Sequence, residues 1–452
     1  MSDFPASWLP VRLGEVAEFK YGKALPAAVR DGGEFPVFGS NGVVGQHSTW
    51  LSPAPTIVIG RKGSVGEVCF SEISCSPIDT TYYVDSFDFF DPKFCFYLLK
   101  TLRLGDLNKS TAIPGLNRQD AYDLEVGLPP LAEQTRIAAK LDELLAQVDT
   151  LKARIDGIPA LLKRFRQSVI TAAISGALTN DWDGSSCSTE FEVVRGSGGR
   201  RQQKVEETES HEVVVDIFPE RWKVSCFGDV FSFLDYRGKT PQKSLFGKRL
   251  ISAKNIKMGF LSEEPVEYLS GEDYSSWMTR GFPALGDIFL VAEGATMGCV
   301  ALNDRVDDFA LAQRTITLQP RIGINTRFYL YFMLSTGFQR VMELNATGTA
   351  ATGIKAAKLR SLPLPLPSLA EQTEIVRRVE QLFAFADQLE AKVNEARTRI
   401  DRLTQSILAK AFRGELVPQD PSDEPASVLL EHIKAQRAAA PKAKRKRRVG
   451  AD

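Results

Sequence analysis

The chain has 452 residues, 43% hydrophobic and 25% charged, the composition of a globular protein long enough for two to four domains. Lys plus Arg and Asp plus Glu each number 56, so no overall positive field announces a polyanionic partner, and any nucleic-acid contact must come from local patches. The N-terminal stretch MSDFPASWLPVRLGEV has no basic lead or apolar core, and no apolar run nears the ~20 residues a membrane span needs; a cytoplasmic chain without membrane contact is expected.

Residues 1–127 lack helical periodicity for most of their length and carry β-branched and aromatic runs that predict strands, TIVI at 56–59 and TYYV at 81–84. Between the runs lie loops of Gly, Asn, Ser and basic residues: FGSNG at 38–42, GRKGSVG at 60–66 and NKSTAIPGLNR at 108–118. Glycine lets backbone approach a duplex, Lys and Arg meet phosphates, and Asn, Gln or Arg read base edges. The DNA-binding candidates here are Lys23, Ser40, Asn41, Arg61, Lys62, Ser64, Lys109, Ser110, Thr111, Asn117 and Arg118.

Residues 128–180 open on LPPLAEQTRI and then place Ile137, Leu141, Leu144, Val148, Leu151 and Ile155 in alternating steps of four and three, a heptad seam. The spacing continues through Ile158, Leu162, Phe165 and Val169, predicting a helix of about 40 residues, about 60 Å at 1.5 Å per residue. Pro129 stands ahead of it, Gly176 suits its left-handed end, and Gly157 with Pro159 predicts a kink. Residues 181–218 are rich in Gly, Ser and charge and read as a polar linker.

Residues 219–365 return to strand-like runs, DIFLV at 287–291 and RTITL at 314–318, with loops DYRGKTP at 235–241, SAKNIK at 252–257 and NATGTAATGIK at 345–355. Their DNA-binding candidates are Arg237, Lys239, Thr240, Lys254, Asn255, Thr347, Thr349 and Lys355. Residues 366–418 repeat the helical pattern, with Pro367 before it, Ile375, Val379, Leu382, Ala386, Leu389 and Val393 in register, and Gly414 after it. Residues 419–452 end in KAQRAAAPKAKRKRRVG and read as a basic tail.

The chain is a tandem duplication. An offset of 238 aligns 128–179 with 366–417 without a gap, 19 of 52 positions identical, and an offset of 214 aligns Pro5 and Trp8 with Pro219 and Trp222. A period beyond 200 residues signals two copies of a composite domain, not a solenoid. The expected fold class is therefore α+β: two α/β domains in a tandem pseudo-twofold repeat, separated by a pair of long helices forming an antiparallel coiled coil. NKSTAIPGLNR and NATGTAATGIK recur at equivalent places with differing polar residues, as two readers of different sequences would need.

At these residues the chain resembles the specificity subunits of Type I restriction-modification systems: the twofold LPxLxEQxxI opening, the PxxW starts at Pro5 and Pro219, and the loops GSNG, RKGS and DYRGKTP. The resemblance implies two target-recognition domains, each reading one half of a bipartite, asymmetric site in double-stranded DNA. It implies helices that hold the domains a fixed distance apart and dock two methyltransferase subunits, with Glu133, Gln134, Ile137, Leu141, Glu371, Gln372, Ile375 and Val379 as the partner-binding positions. No cofactor is implied on this chain; S-adenosylmethionine would sit on the methyltransferase, and ATP and Mg on a restriction and translocase subunit.

The residues that chemistry would need are not assembled by the sequence. The Pro129-Pro130 pair is Leu-flanked, unlike a base methyltransferase turn, Gly238-Lys239-Thr240 has Phe233 where a phosphate loop needs glycine, and His47, His211 and His432 are too dispersed for a metal site. Cys69, Cys75, Cys95, Cys187, Cys226 and Cys299 contain no CxxC pair and read as reduced thiols. A non-catalytic chain is expected; modification of DNA by the chain alone would favour an enzyme, and absence of salt-dependent binding a coiled-coil scaffold.

Overall fold

The computed structural model describes residues 4–108, 115–182, 218–237, 241–348 and 352–439. The chain divides into two compact units, Met1–Asp156 with Asn394–Asp452, and Gly157–Val393. The division falls within both long helices, Leu131–Ile174 and Leu369–Phe412, so each unit holds one half of each.

In the first unit a four-stranded antiparallel sheet runs in the order Lys20–Tyr21, Thr81–Val84, Thr56–Gly60, Val68–Ser71. Thr56–Gly60 and Thr81–Val84 are buried along their whole length, which is why they read as continuous apolar runs without alternation. A three-stranded sheet orders Gly42–His47, Phe35–Gly39 and Ser76–Pro77, and Leu9–Arg12 pairs antiparallel with Glu125–Leu128. The second unit repeats all three sheets. Phe231–Asp235, Thr315–Pro320, Ile288–Val291 and Val300–Leu302 make the four-stranded one; Tyr268–Leu269, Lys248–Ile251 and Phe309–Leu311 the three-stranded one; Lys223–Cys226 pairs with Pro363–Leu366. The duplication read from the helices thus extends through the β structure, where little sequence identity announces it.

Local chemistry sets the helix ends. Asp91 accepts from the N–H groups of Lys93 and Phe94 and opens the helix Pro92–Thr101, with proline where no donor is needed. Gly176 and Gly414 take φ of +69° and +73°, the left-handed close of each long helix. The second unit's Pro219 and the first unit's Pro5 pack on these glycines so closely that an added Cβ would lie 2.5 Å and 2.3 Å from the proline Cγ. The start motif of each domain is therefore built against the end of the long helix in its own unit.

The heptad seam buries Ile137, Leu141, Val148, Ile400 and Ile407 in the first unit and Leu162, Val169, Ile375, Val379, Ala386 and Val393 in the second, while Leu151 and Leu403 are exposed. Salt bridges tie the two helices in an antiparallel sense in each unit: Lys152 to Asp401 and Arg397 to Asp156 in the first, Arg166 to Asp387 and Glu390 in the second. The helix Leu131–Ile174 continues through Gly157 and Pro159 without a break.

The segment after Gly414 departs from the expected tail. Ala426–Ala439 is a helix whose Ala426 and Leu430 are buried in the first unit's core, Asp423 pairs with Arg136, and Gln419 donates to Glu133. Short apolar residues spaced along a polar stretch bury there; net basicity belongs to residues beyond 439, which lie outside the described residues.

Candidate nucleic-acid interface

In the first unit, an exposed aromatic ring holds two arginines. The guanidinium of Arg61 stands 5.3 Å from the centroid of Tyr21 and that of Arg118 stands 5.2 Å from it. Arg61 also lies 5.8 Å from Tyr82, and Arg118 5.7 Å from Tyr122. Backbone carbonyls complete the fixing: Arg61 donates to Asp79 O at 2.6 Å and Arg118 to Phe19 O at 3.3 Å. Burial pushes the Tyr82 hydroxyl up to about 12, so it stays protonated and donates to Leu116 O. Stacking over rings leaves guanidinium edges in plane to meet phosphate or base acceptors, and holds them there before the ligand arrives.

The loops beside this cluster converge by glycine geometry. A Cβ on Gly60 would lie 2.0 Å from Ser64 O and 2.8 Å from Ser40 O, so GSNG and GRKGS are packed backbone to backbone. Gly63 has φ +79°, Lys62 forms an isolated antiparallel bridge with Gly115, and Leu116 N–H donates to Arg61 O. Lys62, Asn41 and Lys23 are exposed, and Ser40 and Ser64 half-buried. Asn117 caps the helix Arg118–Tyr122 by accepting from Gln119 N–H. Lys109, Ser110 and Thr111 lie outside the described residues.

The second unit uses its predicted residues differently. Asn255 is fully buried: its Oδ1 accepts from Ser252 N–H and Oγ, and its Nδ2 donates to Ser262 O and Pro265 O, leaving nothing to read a base. Arg237 is spent on a bidentate pair with Asp235 and on Ile354 O. Burial alone would raise the Asp235 carboxyl, yet Arg237 holds it below its ordinary value. Lys254, Thr347 and Lys355 are exposed; Lys239, Thr240 and Thr349 lie outside the described residues. Four cations lie over rings here among the described residues: Arg360, 4.2 Å from Phe233, Lys248, 5.7 Å from Tyr274, Arg280, 5.8 Å from Tyr236, and Arg221, 5.8 Å from Trp222.

The eight positions expected to meet a partner on the helices are buried within their own units. Glu133 accepts from Trp8 and Gln419; Gln134 donates to Phe89 O and Pro129 O and accepts from Asp91 N–H. Glu371 accepts from Thr179 and Arg221, and Gln372 donates to Pro367 O and accepts from Asn325 N–H. Ile137, Leu141, Ile375 and Val379 are fully buried core residues. The repeated Glu-Gln pair pins the start of each long helix to the sheet domain below it, so its recurrence reflects an internal joint, not an exposed docking surface.

The family whose description is Type I restriction modification DNA specificity domain matches residues 5–160 and again 219–396. The chain belongs to that family. It is 31% identical over 457 residues to the Type I restriction enzyme EcoDI specificity subunit of Escherichia coli, covering 96% of each chain. With the EcoBI specificity subunit of Escherichia coli it shares 34% identity over 343 residues, 73% of this chain and 68% of that one. Among solved structures, its fold is similar to the HsdS subunit from Thermoanaerobacter tengcongensis, TM-score 0.55 at 18% identity over 91% of this chain and 98% of that one. A chain described under complex assembly and conformational transition of the type I R-M system gives TM-score 0.59 at 18% identity, over 91% and 99%. This specificity subunit therefore recognises DNA sequence within a restriction-modification system and is a non-catalytic chain. Among the described residues no cluster of His, Cys, Asp and Glu has metal-ligand form, and no helix is long and apolar enough to cross a membrane.

Proposed function

We propose that each unit of this specificity subunit reads one half of a bipartite, asymmetric site in double-stranded DNA, and that the chain works in the cytoplasm within a complex of two methyltransferase subunits and a restriction and translocase subunit. The observation that carries this reading is the repetition of one three-sheet domain whose two copies set different arginines on their aromatic rings. One half presents Arg61 and Arg118 on Tyr21, the other Arg360 on Phe233. Phosphate contacts by Lys23, Lys62, Lys254 and Lys355 would set position, and arginine edges with Ser40, Asn41, Ser64, Asn117 and Thr347 would add base or phosphate contacts. Lys109, Ser110, Thr111, Lys239, Thr240 and Thr349 stay candidates by their place in the repeated loops. S-adenosylmethionine would be held by the methyltransferase, and ATP with Mg by the restriction subunit.

The methyltransferases would dock on exposed faces of the long helices, which the buried Glu133, Gln134, Glu371 and Gln372 hold in place from within. Replacing residues 5–127 by the corresponding domain of another specificity subunit tests the modular reading. One half of the methylated motif changes and the other stays; a change in both halves overturns it.

A further inference from the structure

One turn is built twice with the same backbone hydrogen bonds. In the first unit Leu116 N–H donates to Arg61 O at 2.9 Å, Arg61 N–H to Thr80 O at 2.9 Å and Gly66 N–H to Gly60 O at 2.8 Å. In the second, Ile354 N–H donates to Ala292 O at 2.8 Å, Ala292 N–H to Arg314 O at 2.9 Å and Gly298 N–H to Val291 O at 2.9 Å. Lys62 bridges Gly115, and Glu293 bridges Gly353. The left-handed glycines match too: Gly63 and Gly66 at +79° and +81°, Gly294 and Gly298 at +94° and +86°. Lys62 and Glu293 thus occupy the same backbone position, as do Thr80 and Arg314.

The charge at that position is reversed. A lysine beside DNA needs no explanation, but a carboxylate facing phosphates is repelled, whereas one that accepts from a base amino group in the major groove gains a specific contact. Glu293 is 38% exposed, and the Nε of Arg314 stands 3.9 Å from its Oε1. Arg314 holds φ +77°, a conformation that L side chains adopt only where the surroundings impose it, and its Nη1 lies 3.5 Å from where a Cβ on Gly294 would be. The constrained backbone keeps the guanidinium over the turn, beside the carboxylate.

We infer that Glu293, with Arg314 as its positioning residue, is a specificity determinant of the second half-site, accepting from the exocyclic N4 amino group of a cytosine. This rests on the reading that the turn faces DNA. It assigns an acidic reader where the sequence offers no basic loop.

The test uses the full chain in complex with its methyltransferase, on labelled duplexes carrying the methylated motif or that motif with one half scrambled. Glu293→Gln weakens binding to the intact motif by about 10- to 100-fold and leaves discrimination at the first half unchanged. Arg314→Lys, which keeps the charge but not the fork, weakens it in the same direction. Removing a negative charge would otherwise tighten DNA binding, so a Glu293→Gln complex that binds the intact motif as tightly as the unaltered one, or more tightly, overturns the inference. Loss of discrimination at both halves also overturns it, since Glu293 would then be holding the fold. An unaltered complex that fails to distinguish intact from scrambled duplexes defeats the DNA-reading premise itself.

Discussion

Trp8 donates its indole N–H to Glu133 across 2.9 Å, whereas Trp222, at the equivalent place in the second unit, donates to nothing among the described residues. Glu371 there is taken by Thr179 and Arg221 instead. Both indoles are buried, so Trp8→Phe and Trp222→Phe remove similar apolar surface, but only the first leaves a buried carboxylate short of a donor. Trp8→Phe should cost about 1–3 kcal/mol more than Trp222→Phe, measured by denaturant unfolding of each variant.

Gly414 and Gly32 share left-handed backbone, at +73° and +75°, but differ in their surroundings. A Cβ on Gly32 meets nothing within 4 Å, while one on Gly414 would lie 2.3 Å from Pro5 Cγ. Gly32→Ala should cost about 1–2 kcal/mol, the backbone term alone. Gly414→Ala should exceed it clearly, because the ring of Pro5 or the helix end has to move; equal midpoints in urea would refute this packing.

Tyr21 stacks against two arginines while half of its own surface faces solvent. At about 0.5–1 kcal/mol for each exposed cation–π contact, Tyr21→Ala should weaken binding of the methylated motif by roughly 5- to 30-fold, and Tyr21→Phe should restore it. Titration of labelled duplex checks this at fixed salt, since the phosphate contribution varies steeply with ionic strength.

Asp31 ties the loop before the strand Phe35–Gly39 to the end of Gly42–His47. It accepts from the hydroxyl and N–H of Ser48 and from Gly33 N–H, with His47 Nδ1 at 3.1 Å. The Ser48 hydroxyl bond first, then the backbone donors, hold its carboxyl at about 2. A depressed carboxylate stabilises the fold above its unfolded value of 3.8 and loses that contribution as pH falls toward 2. The carboxyl carbon of Asp31, followed by NMR, should titrate near 2, and in Ser48→Ala it should move up toward 3.8.

Periodicity made the long helices legible because a heptad seam repeats over many turns, and Gly176 and Gly414 closed them where the sequence placed the stop. Burial did not follow from recurrence. The Glu-Gln pairs stood out as repeated polar residues at a helix start, and only packing shows that Trp8, Gln419, Arg221 and Thr179 consume the glutamates. Asn255 and Arg237 misled for a related reason: an Asn or Arg in a polar loop has the same letters whether it satisfies its own backbone or waits for a ligand. The turn bearing Glu293 escaped notice because AEGATMG shares with GRKGSVG only glycines, and the offset there is 231 at Gly63 and Gly294, not 238. Tyr21, beside Lys20 and Lys23, gave only an aromatic among basic residues, a weak signal without the fold.

Sequencing of methylated bases in cells that carry this chain with its methyltransferase tests most directly whether the two halves read DNA separately. A motif of two different specified halves separated by a fixed run of unspecified bases is the predicted result. A continuous or palindromic motif, or no methylation dependent on this chain, would contradict it.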